Sequence, residues 1–298
     1  MATMTLKRAI ELARSRLVEL DGQCFDILQI SKPATSDALN NLGKIISKLS
    51  PIIGNLIEFN TVDFLNTIRE FRSIGHWERQ DPGFPDTIFR SNITPAPGFE
   101  IKAWFPLATE MTARFKDSQK YFLHDETYVA ILAWLPEYLL WGKPKIIGVC
   151  VVSGASIAKA RDQHYHNPPD YIVFEPENTS ERTANLQQTN TNGYKIQISS
   201  SAKLREAEEF VASWGSNGKN YSISAQYQER LKQLQARFPY RLDTNFAKID
   251  RIGHAGIENF KEQILSRNFY GKSIKDWAKI IADLPPDDIQ KILNADQS

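Results

Sequence analysis

Residues 84–105, with the sequence FPDTIFRSNITPAPGFEIKAWF, decide how the rest of this chain is interpreted. Two short segments rich in aromatic and β-branched residues flank a connection of serine, asparagine, proline and glycine over residues 91–98. That pattern predicts a β-hairpin. Because side chains alternate between the two faces of a strand, Glu100 and Lys102 share one face, opposite an apolar layer that contains Ile101. The remaining members of that layer are Phe99 and Ala103.

Asp86 opens the first strand of this hairpin, so the turn gathers two carboxylates and one ammonium at one point. Charged groups among bulky apolar neighbours are destabilising unless something compensates them. A Mg²⁺ ion bound by Asp86 and Glu100 would do so, since it prefers oxygen ligands and retains several waters. Lys102 would position or deprotonate an attacking water, or stabilise developing negative charge; the sequence leaves these roles open.

The arrangement Pro85-Asp86, thirteen intervening residues, then Glu100-Ile101-Lys102 resembles the signature of the PD-(D/E)xK nuclease superfamily, whose members include type II restriction endonucleases. The resemblance implies a restriction-endonuclease-like α/β fold, in which a mixed central sheet is flanked by helices. It also implies that Asp86, Glu100 and Lys102 are catalytic, and that Asp86 and Glu100 bind Mg²⁺.

Two further P-D pairs, at residues 169–170 and 286–287, lack a suitably placed E-x-K. The motif is short, and it has a structural alternative. In that alternative Asp86 is a turn residue after proline, and Glu100 and Lys102 form a solvated pair on an exposed face.

Composition sets loose bounds on the class of protein. The chain has 298 residues, of which 42% are hydrophobic and 24% charged, values ordinary for a globular protein with a substantial core. Its net charge of +1 gives no global signal for nucleic acid, although a neutral total is compatible with a basic cleft. Cys24 and Cys150 are far apart in sequence, and no signal-peptide or membrane-spanning stretch is visible, so we expect a cytoplasmic protein without a membrane.

The residues before the hairpin predict an N-terminal helical region. Apolar residues recur at helical spacing over residues 4–20, 35–49 and 52–71, with a break expected near 60–61. In the nuclease superfamily a helix before the first catalytic strand often offers another metal-binding acid. By that resemblance Glu58 and Glu70 are additional metal candidates, although a lone helical glutamate is usually a surface residue.

After the hairpin, residues 128–135 and 145–152 read as buried strands, and residues 153–162 as a helix. This order fits the mixed sheet that the resemblance implies, while periodicity alone supports only an α/β sandwich. Further helices are predicted over residues 202–214 and 224–238, and a strand over 194–198. Two short helices near the C-terminus complete the prediction, the first over residues 273–284.

Several polar segments are candidates for DNA contact, because amides and cations read base edges and bind phosphates. For each of them an ordinary solvated loop is the alternative. They are a polar loop at 72–83, a loop at 161–169, an asparagine- and glutamine-rich segment at 175–202 and a turn at 215–221. The candidate DNA-binding residues are Arg79, Gln163, His164, Asn190, Asn192, Lys195 and Lys219.

Together these observations predict a single nuclease domain over residues 1–298. It comprises a helical N-terminal region (1–75), a catalytic core (76–175) and DNA-recognition and dimerisation elements (176–298). The expected function is Mg²⁺-dependent, site-specific hydrolysis of double-stranded DNA by a homodimer, and the resemblance implies a cognate DNA methyltransferase. The alternatives are a repair or junction nuclease of the same fold, and a non-catalytic nucleic-acid-binding or interaction protein.

Overall fold

The computed structural model describes residues 4–80, 83–108, 111, 114–115, 124–166, 171–175, 193–222, 224–243, 247–248 and 252–297. The chain forms two compact units. The first comprises Met1–Ala113, His124–Ser156 and His254–Ser298, and the second comprises Arg114–Leu123 and Ile157–Gly253. The single nuclease domain expected over residues 1–298 stays a prediction.

The first unit begins with the helices that the sequence predicted. The threonines at positions 5 and 35 cap the first two, each accepting a hydrogen bond from a backbone N–H three residues later. The helix predicted over residues 52–71 is continuous through residues 60–61, so the break expected there is wrong, and it ends earlier than predicted. The helices are α1 Leu6–Val18, α2 Ser36–Ile45 and α3 Ser50–Leu65, with 3₁₀ turns at Ile46–Leu49 and Arg69–Phe71.

A five-stranded mixed sheet forms the centre of the first unit. Its strands lie in the order β1-β2-β3-β4-β5, and only β3 and β4 are parallel neighbours. Helices flank the sheet, so the mixed α/β class is confirmed. The strands are β1 His76–Arg79, β2 Thr87–Arg90, β3 Gly98–Trp104, β4 Thr127–Pro136 and β5 Pro144–Ser153.

Strand β1 lies where the sequence predicted a polar loop over residues 72–83, so that expectation is wrong. Its residues look polar, but Trp77 is buried between exposed neighbours. Trp77 pairs with Phe89 across the sheet, and its ring lies 5.9 Å from Phe71 and 5.2 Å from Phe99. The packing of this one inward-facing aromatic side chain against aromatic residues from other parts of the chain therefore stabilises the strand.

The second unit contains a smaller three-stranded sheet and two helices. β6 pairs in parallel with β7, which pairs antiparallel with β8. Their inner faces and the helices share an apolar core that includes Ile172, Ile196, Val211 and Leu231. The elements are β6 Ile172–Glu175, β7 Gly193–Gln197, β8 Tyr240–Asp243, α5 Ser201–Ala212 and α6 Ala225–Arg237, after α4 Gly154–His166, which begins in the first unit. Since α4 extends to residue 166, the loop expected from residue 161 is wrong in its first part.

The chain then returns to the first unit with α7 Ala255–Ser266, α8 Ile274–Ile280 and α9 Pro286–Leu293. Helix α7 was not predicted from the sequence. It covers the sheet at Gly148, where a Cβ atom would lie 2.4 Å from Ile264 Cδ1, and the Phe260 ring lies 6.1 Å from that of Trp104. None of the helices in the described part of the chain is both long and apolar enough to cross a membrane.

Candidate active site

The hairpin of β2 and β3 places Asp86 beside Glu100. Thr87 pairs with Phe99, so one further step in the antiparallel register sets Asp86 opposite Glu100 on the same face of the sheet. The N–H of Asp86 donates a hydrogen bond to Glu100 Oε2 (3.1 Å), and the N–H of Ile101 donates one to Asp86 Oδ2 (2.6 Å). A backbone N–H therefore holds each carboxylate in place next to the other carboxylate.

Lys102 completes this group on the same face of β3. Its ammonium donates a hydrogen bond to Glu100 Oε1 and lies 3.6 Å from Asp86 Oδ2. The side chains of Asp86, Glu100 and Lys102 are only 18%, 11% and 19% exposed. The structure thus brings together the three residues that the sequence predicted, and the alternative of a solvated pair on an exposed face is wrong.

The Pro85–Asp86 corner is held by groups that were not predicted from the sequence. Gln80, at the end of β1, donates from its backbone N–H to Asp86 O (2.7 Å) and from its side-chain amide to Pro85 O (2.8 Å). Gly98 lies under the proline, where a Cβ atom would be 2.4 Å from Pro85 Cγ. The glycine before the second strand was visible in the sequence, whereas nothing in the sequence indicated Gln80.

Burial governs the charge state of these groups. Removal of Asp86 from water, reinforced by the negative charge of Glu100, raises its pKa to about 6 despite the opposing effect of Lys102. Burial alone would lower the pKa of Lys102, but the charges of Glu100, Asp86 and Glu58 outweigh it and raise that pKa above its usual value. Lys102 is consequently an ammonium at neutral pH.

The donor set suits a hard divalent cation. Asp86 Oδ1 accepts no hydrogen bond from the residues that the structure describes, so it is available to a ligand. Glu100 presents its two oxygens to Lys102 and to the N–H of Asp86, each through one lone pair. Mg²⁺ binds by one or two carboxylates together with waters and substrate phosphate. No cluster of three or more histidine, cysteine, aspartate or glutamate side chains at metal-binding spacing occurs among the described residues.

The two further metal candidates differ in their surroundings. Glu58, on α3, pairs with Arg79 on β1 at 2.7 Å, and its side chain is 15% exposed. The Arg79 guanidinium also lies 4.0 Å from the ring centroid of Phe59. Glu70 is exposed on a 3₁₀ turn, and no ion pair or hydrogen bond joins it to Asp86, Glu100 or Lys102 within the described part of the chain.

The other predicted DNA-binding residues belong to the second unit. Lys195 lies half-buried on β7. Lys219 accepts hydrogen bonds at its carbonyl from the N–H groups of Tyr171 and Ile172, and its ammonium lies 5.5 Å from the ring centroid of Phe174. Gln163 and His164 lie on α4, but their side chains are outside the described residues, as are Asn190 and Asn192 altogether.

A serine and a histidine also meet in the first unit, but they do not form a nucleophile and base. Ser156 Oγ lies 2.9 Å from His254 Nε2. His254 Nδ1 accepts the N–H of Ile257 (3.4 Å) at the start of α7, so the proton of the neutral ring is on Nε2, which donates to the serine. Burial lowers the pKa of His254, which favours that neutral form. His254 therefore caps the N-terminus of α7. Its ring has no free nitrogen lone pair directed at the hydroxyl proton of Ser156.

Comparisons of this chain with protein-family models, with curated proteins and with solved structures find no match. The fold and the geometry of the site are therefore the basis on which its function is inferred.

Proposed function

We propose that this protein is a Mg²⁺-dependent endonuclease that hydrolyses double-stranded DNA at a short specific sequence, in the manner of type II restriction endonucleases. The observation that carries the proposal is the juxtaposition of Asp86, Glu100 and Lys102 on one face of the β2–β3 hairpin. Its support from the fold is a mixed central sheet flanked by helices, with the hairpin inside that sheet.

Asp86 and Glu100 would hold the ion, Asp86 through its free Oδ1. A bound Mg²⁺ supplies Lewis-acid polarisation of the phosphoryl group and a more acidic water. Lys102 remains protonated at neutral pH because its pKa is raised. This favours a role in orienting the attacking water and stabilising negative charge over a role as the base that deprotonates the water.

Cations on the second unit, Lys195 and Lys219 among them, would bind the backbone of the duplex. Recognition of a palindromic site would be matched by a homodimer, since the two-fold symmetry of the site is then shared by the protein. A cognate DNA methyltransferase belongs to the same proposal.

The test is incubation of the purified protein with phage DNA in Mg²⁺ and in EDTA. Discrete fragments that form only with Mg²⁺ support a site-specific endonuclease, and a smear supports a repair or non-specific nuclease. Asp86→Ala and Lys102→Ala should each abolish cleavage and retain DNA binding. The exposed residues Asp283 and Lys275 supply matched controls, since Asp283→Ala and Lys275→Ala should cleave like the original protein.

A second candidate follows from the position of the Lys102 ammonium, which already neutralises both carboxylates. Such a triad is also a structural ion cluster that stabilises a hairpin in a non-catalytic binding protein. DNA left intact in Mg²⁺ over many phage and plasmid substrates, with binding that does not respond to the metal, would support this candidate instead.

A further inference from the structure

A cavity of about 520 Å³ lies between α1 and the start of β4 in the first unit. Pockets that bind small organic ligands have volumes of roughly 300–1,000 Å³, so this one is large enough for such a ligand. Tyr128, in its wall, pairs with Phe99 across the parallel strands β3 and β4, and the side chains of Phe99 and Glu100 project from opposite faces of the sheet. The cavity is therefore a separate place from the site of Asp86 and Glu100.

The helix side of the cavity carries two cations. Lys7 and Arg14 lie seven residues apart on α1, so both line the cavity from one face of that helix. Their Cα atoms are about 10 Å apart along the helix axis, and side chains as long as these can converge on one group between them. Among the residues that the structure describes, neither cation forms an ion pair or a hydrogen bond, while Glu11 between them lies 3.9 Å from Arg8. Both cations are thus available to an anionic ligand.

The positive charge of Arg14 acts on the opposite wall of the cavity. Burial and the hydrogen bond to Asp125 raise the pKa of Tyr128 to about 12, and the charge of Arg14 opposes that rise. Burial also raises the pKa of Cys150 to about 11, again against the effect of Arg14. Because Arg14 influences groups on both β4 and β5, its guanidinium lies close enough to the sheet to meet an anion inside the cavity.

The strand side of the cavity presents a carboxylate in a fixed position. Asp125 Oδ2 accepts a hydrogen bond from the Tyr128 hydroxyl (2.6 Å), and Oδ1 accepts one from the Ser153 hydroxyl. The backbone of Asp125 has a φ of 53°, a left-handed conformation that aspartate adopts more often than most residues. Each carboxylate oxygen has a second lone pair, so the group can accept further hydrogen bonds from donors on a ligand.

These two sides define the chemistry of the ligand. A phosphate monoester carries between about 1.5 and 2 negative charges at neutral pH, which matches two cations better than a single carboxylate does. Sugar hydroxyls are donors that Asp125 can accept, and Leu6, Ile10 and the Tyr128 ring offer apolar contacts to a planar base. We propose that this cavity binds a nucleoside 5′-monophosphate, with its phosphate at the two cations of α1 and its sugar hydroxyls at Asp125.

This inference concerns a small ligand on the other face of the sheet, so it is independent of DNA cleavage. Isothermal titration calorimetry of the full chain with adenosine 5′-monophosphate (AMP), in EDTA and without Mg²⁺, measures it. We expect a dissociation constant below about 1 mM. Arg14→Gln and Lys7→Gln should each raise it about tenfold, because each removes a charge-assisted hydrogen bond to the phosphate. The exposed residues Arg69 and Lys48 supply matched controls, since Arg69→Gln and Lys48→Gln should bind AMP like the original protein.

Parts of the ligand test its orientation in the cavity. Adenosine lacks the phosphate and ribose 5-phosphate lacks the base, so each should bind at least about tenfold more weakly than AMP. Asp125→Asn should weaken AMP binding about fivefold, because it removes the charged acceptor of the sugar hydroxyls. The melting temperature of each variant without ligand shows whether the chain still folds.

Several outcomes would overturn the proposal. The first is the absence of binding at AMP concentrations up to about 10 mM. The second is equal binding of AMP by Arg14→Gln, Lys7→Gln and the original protein, which would place the ligand elsewhere. Adenosine or ribose 5-phosphate bound as tightly as AMP would exclude a nucleoside monophosphate as the ligand that the cavity selects. Unchanged or tighter binding of AMP to Asp125→Asn would exclude the sugar contact.

Discussion

Asp86 and Glu100 hold each other in place through main-chain hydrogen bonds at the point where the pairing of β2 with β3 ends. The Asp86 N–H donates to Glu100 Oε2, and the N–H that follows Glu100 donates to Asp86 Oδ2. The carboxylates thus occupy positions that backbone carbonyls take elsewhere in the ladder. Two nearby negative charges in a largely buried place are unfavourable by themselves, and a divalent cation would relieve that strain.

The first prediction concerns Asp86→Asn and the pH dependence of stability. In the folded protein the pKa of Asp86 is about 6, above the usual value of 3.8 for an aspartate. Stability from the proton on Asp86 is fully present below about pH 4 and is lost as the pH rises through 6. Above pH 7 the buried charge opposes folding in the original protein but not in the asparagine variant. We expect the variant to be more stable by about 1–3 kcal/mol at pH 8 and by much less near pH 4.

Urea unfolding of both proteins between pH 4 and 8 measures this difference. Asp283→Asn, at an exposed position, is the control and should track the original protein at every pH. A difference between Asp86→Asn and the original protein that is constant with pH would show that Asp86 does not titrate as its burial implies.

The second prediction concerns metal binding without cleavage. Mg²⁺ should raise the melting temperature of the original protein, because a ligand that binds only the folded state adds about 1.4 kcal/mol at ten times its dissociation constant. Asp86→Asn and Glu100→Gln should lose most of that shift, since each removes one anionic ligand. Thermal unfolding in Mg²⁺ and in EDTA gives the readout, and an equal shift in all three proteins would exclude these carboxylates as the site.

Much of the first unit follows from local sequence patterns. Helical periodicity marked α1, α2 and α3, and continuous apolar segments marked β4 and β5. Strand β1 was missed because its one inward residue, Trp77, gives no alternation that a short window can detect. Its strand state depends on Phe71, Phe89 and Phe99, which lie at other points along the chain.

The candidate site shows the same division between local and distant information. Strand alternation and hairpin register depend on a few adjacent residues. These patterns were therefore enough to predict that Asp86, Glu100 and Lys102 lie close together. The ion pair of Arg79 with Glu58 joins strand β1 to helix α3, and the Gln80 hydrogen bonds join the end of β1 to the Pro85–Asp86 corner. Such contacts depend on tertiary packing, which a single sequence does not specify residue by residue.

The third prediction tests the glycine beneath the Pro85–Asp86 corner. A Cβ atom at Gly98 would lie 2.4 Å from Pro85 Cγ and 3.3 Å from the carbonyl oxygen of Thr87. Gly98→Ala should therefore displace the corner, destabilise the protein by about 1–3 kcal/mol and reduce the Mg²⁺-induced thermal shift. Gly253→Ala is the control, since its Cβ atom would meet nothing within 4 Å. A Gly98→Ala protein with normal stability and a normal Mg²⁺ response would contradict this role.

The fourth prediction separates Glu58 from the metal ligands. Because Glu58 is paired with Arg79 and mostly buried, Glu58→Gln should lower the free energy of unfolding by about 1–2 kcal/mol. The concentration of Mg²⁺ that gives half of the thermal shift should stay within about twofold of the original value, since neither proposed ligand is touched. A rise of tenfold or more in that concentration would show that Glu58 takes part in metal binding, and would contradict a purely structural role for Glu58 as the partner of Arg79.

The fifth prediction concerns the competition between Lys102 and a bound cation. Lys102→Met removes the ammonium that neutralises Asp86 and Glu100, leaving two carboxylates in a largely buried place. We expect a loss of about 2–4 kcal/mol at pH 8, and a smaller loss near pH 5, where the pKa of about 6 allows Asp86 to take up a proton. Mg²⁺ should then supply the missing positive charge, so its stabilising effect should be larger in Lys102→Met than in the original protein. Thermal unfolding in Mg²⁺ and in EDTA, with Lys275→Met as the exposed control, measures both effects. A Mg²⁺ shift in Lys102→Met no larger than in the control would mean that the ion and the ammonium do not share these carboxylates.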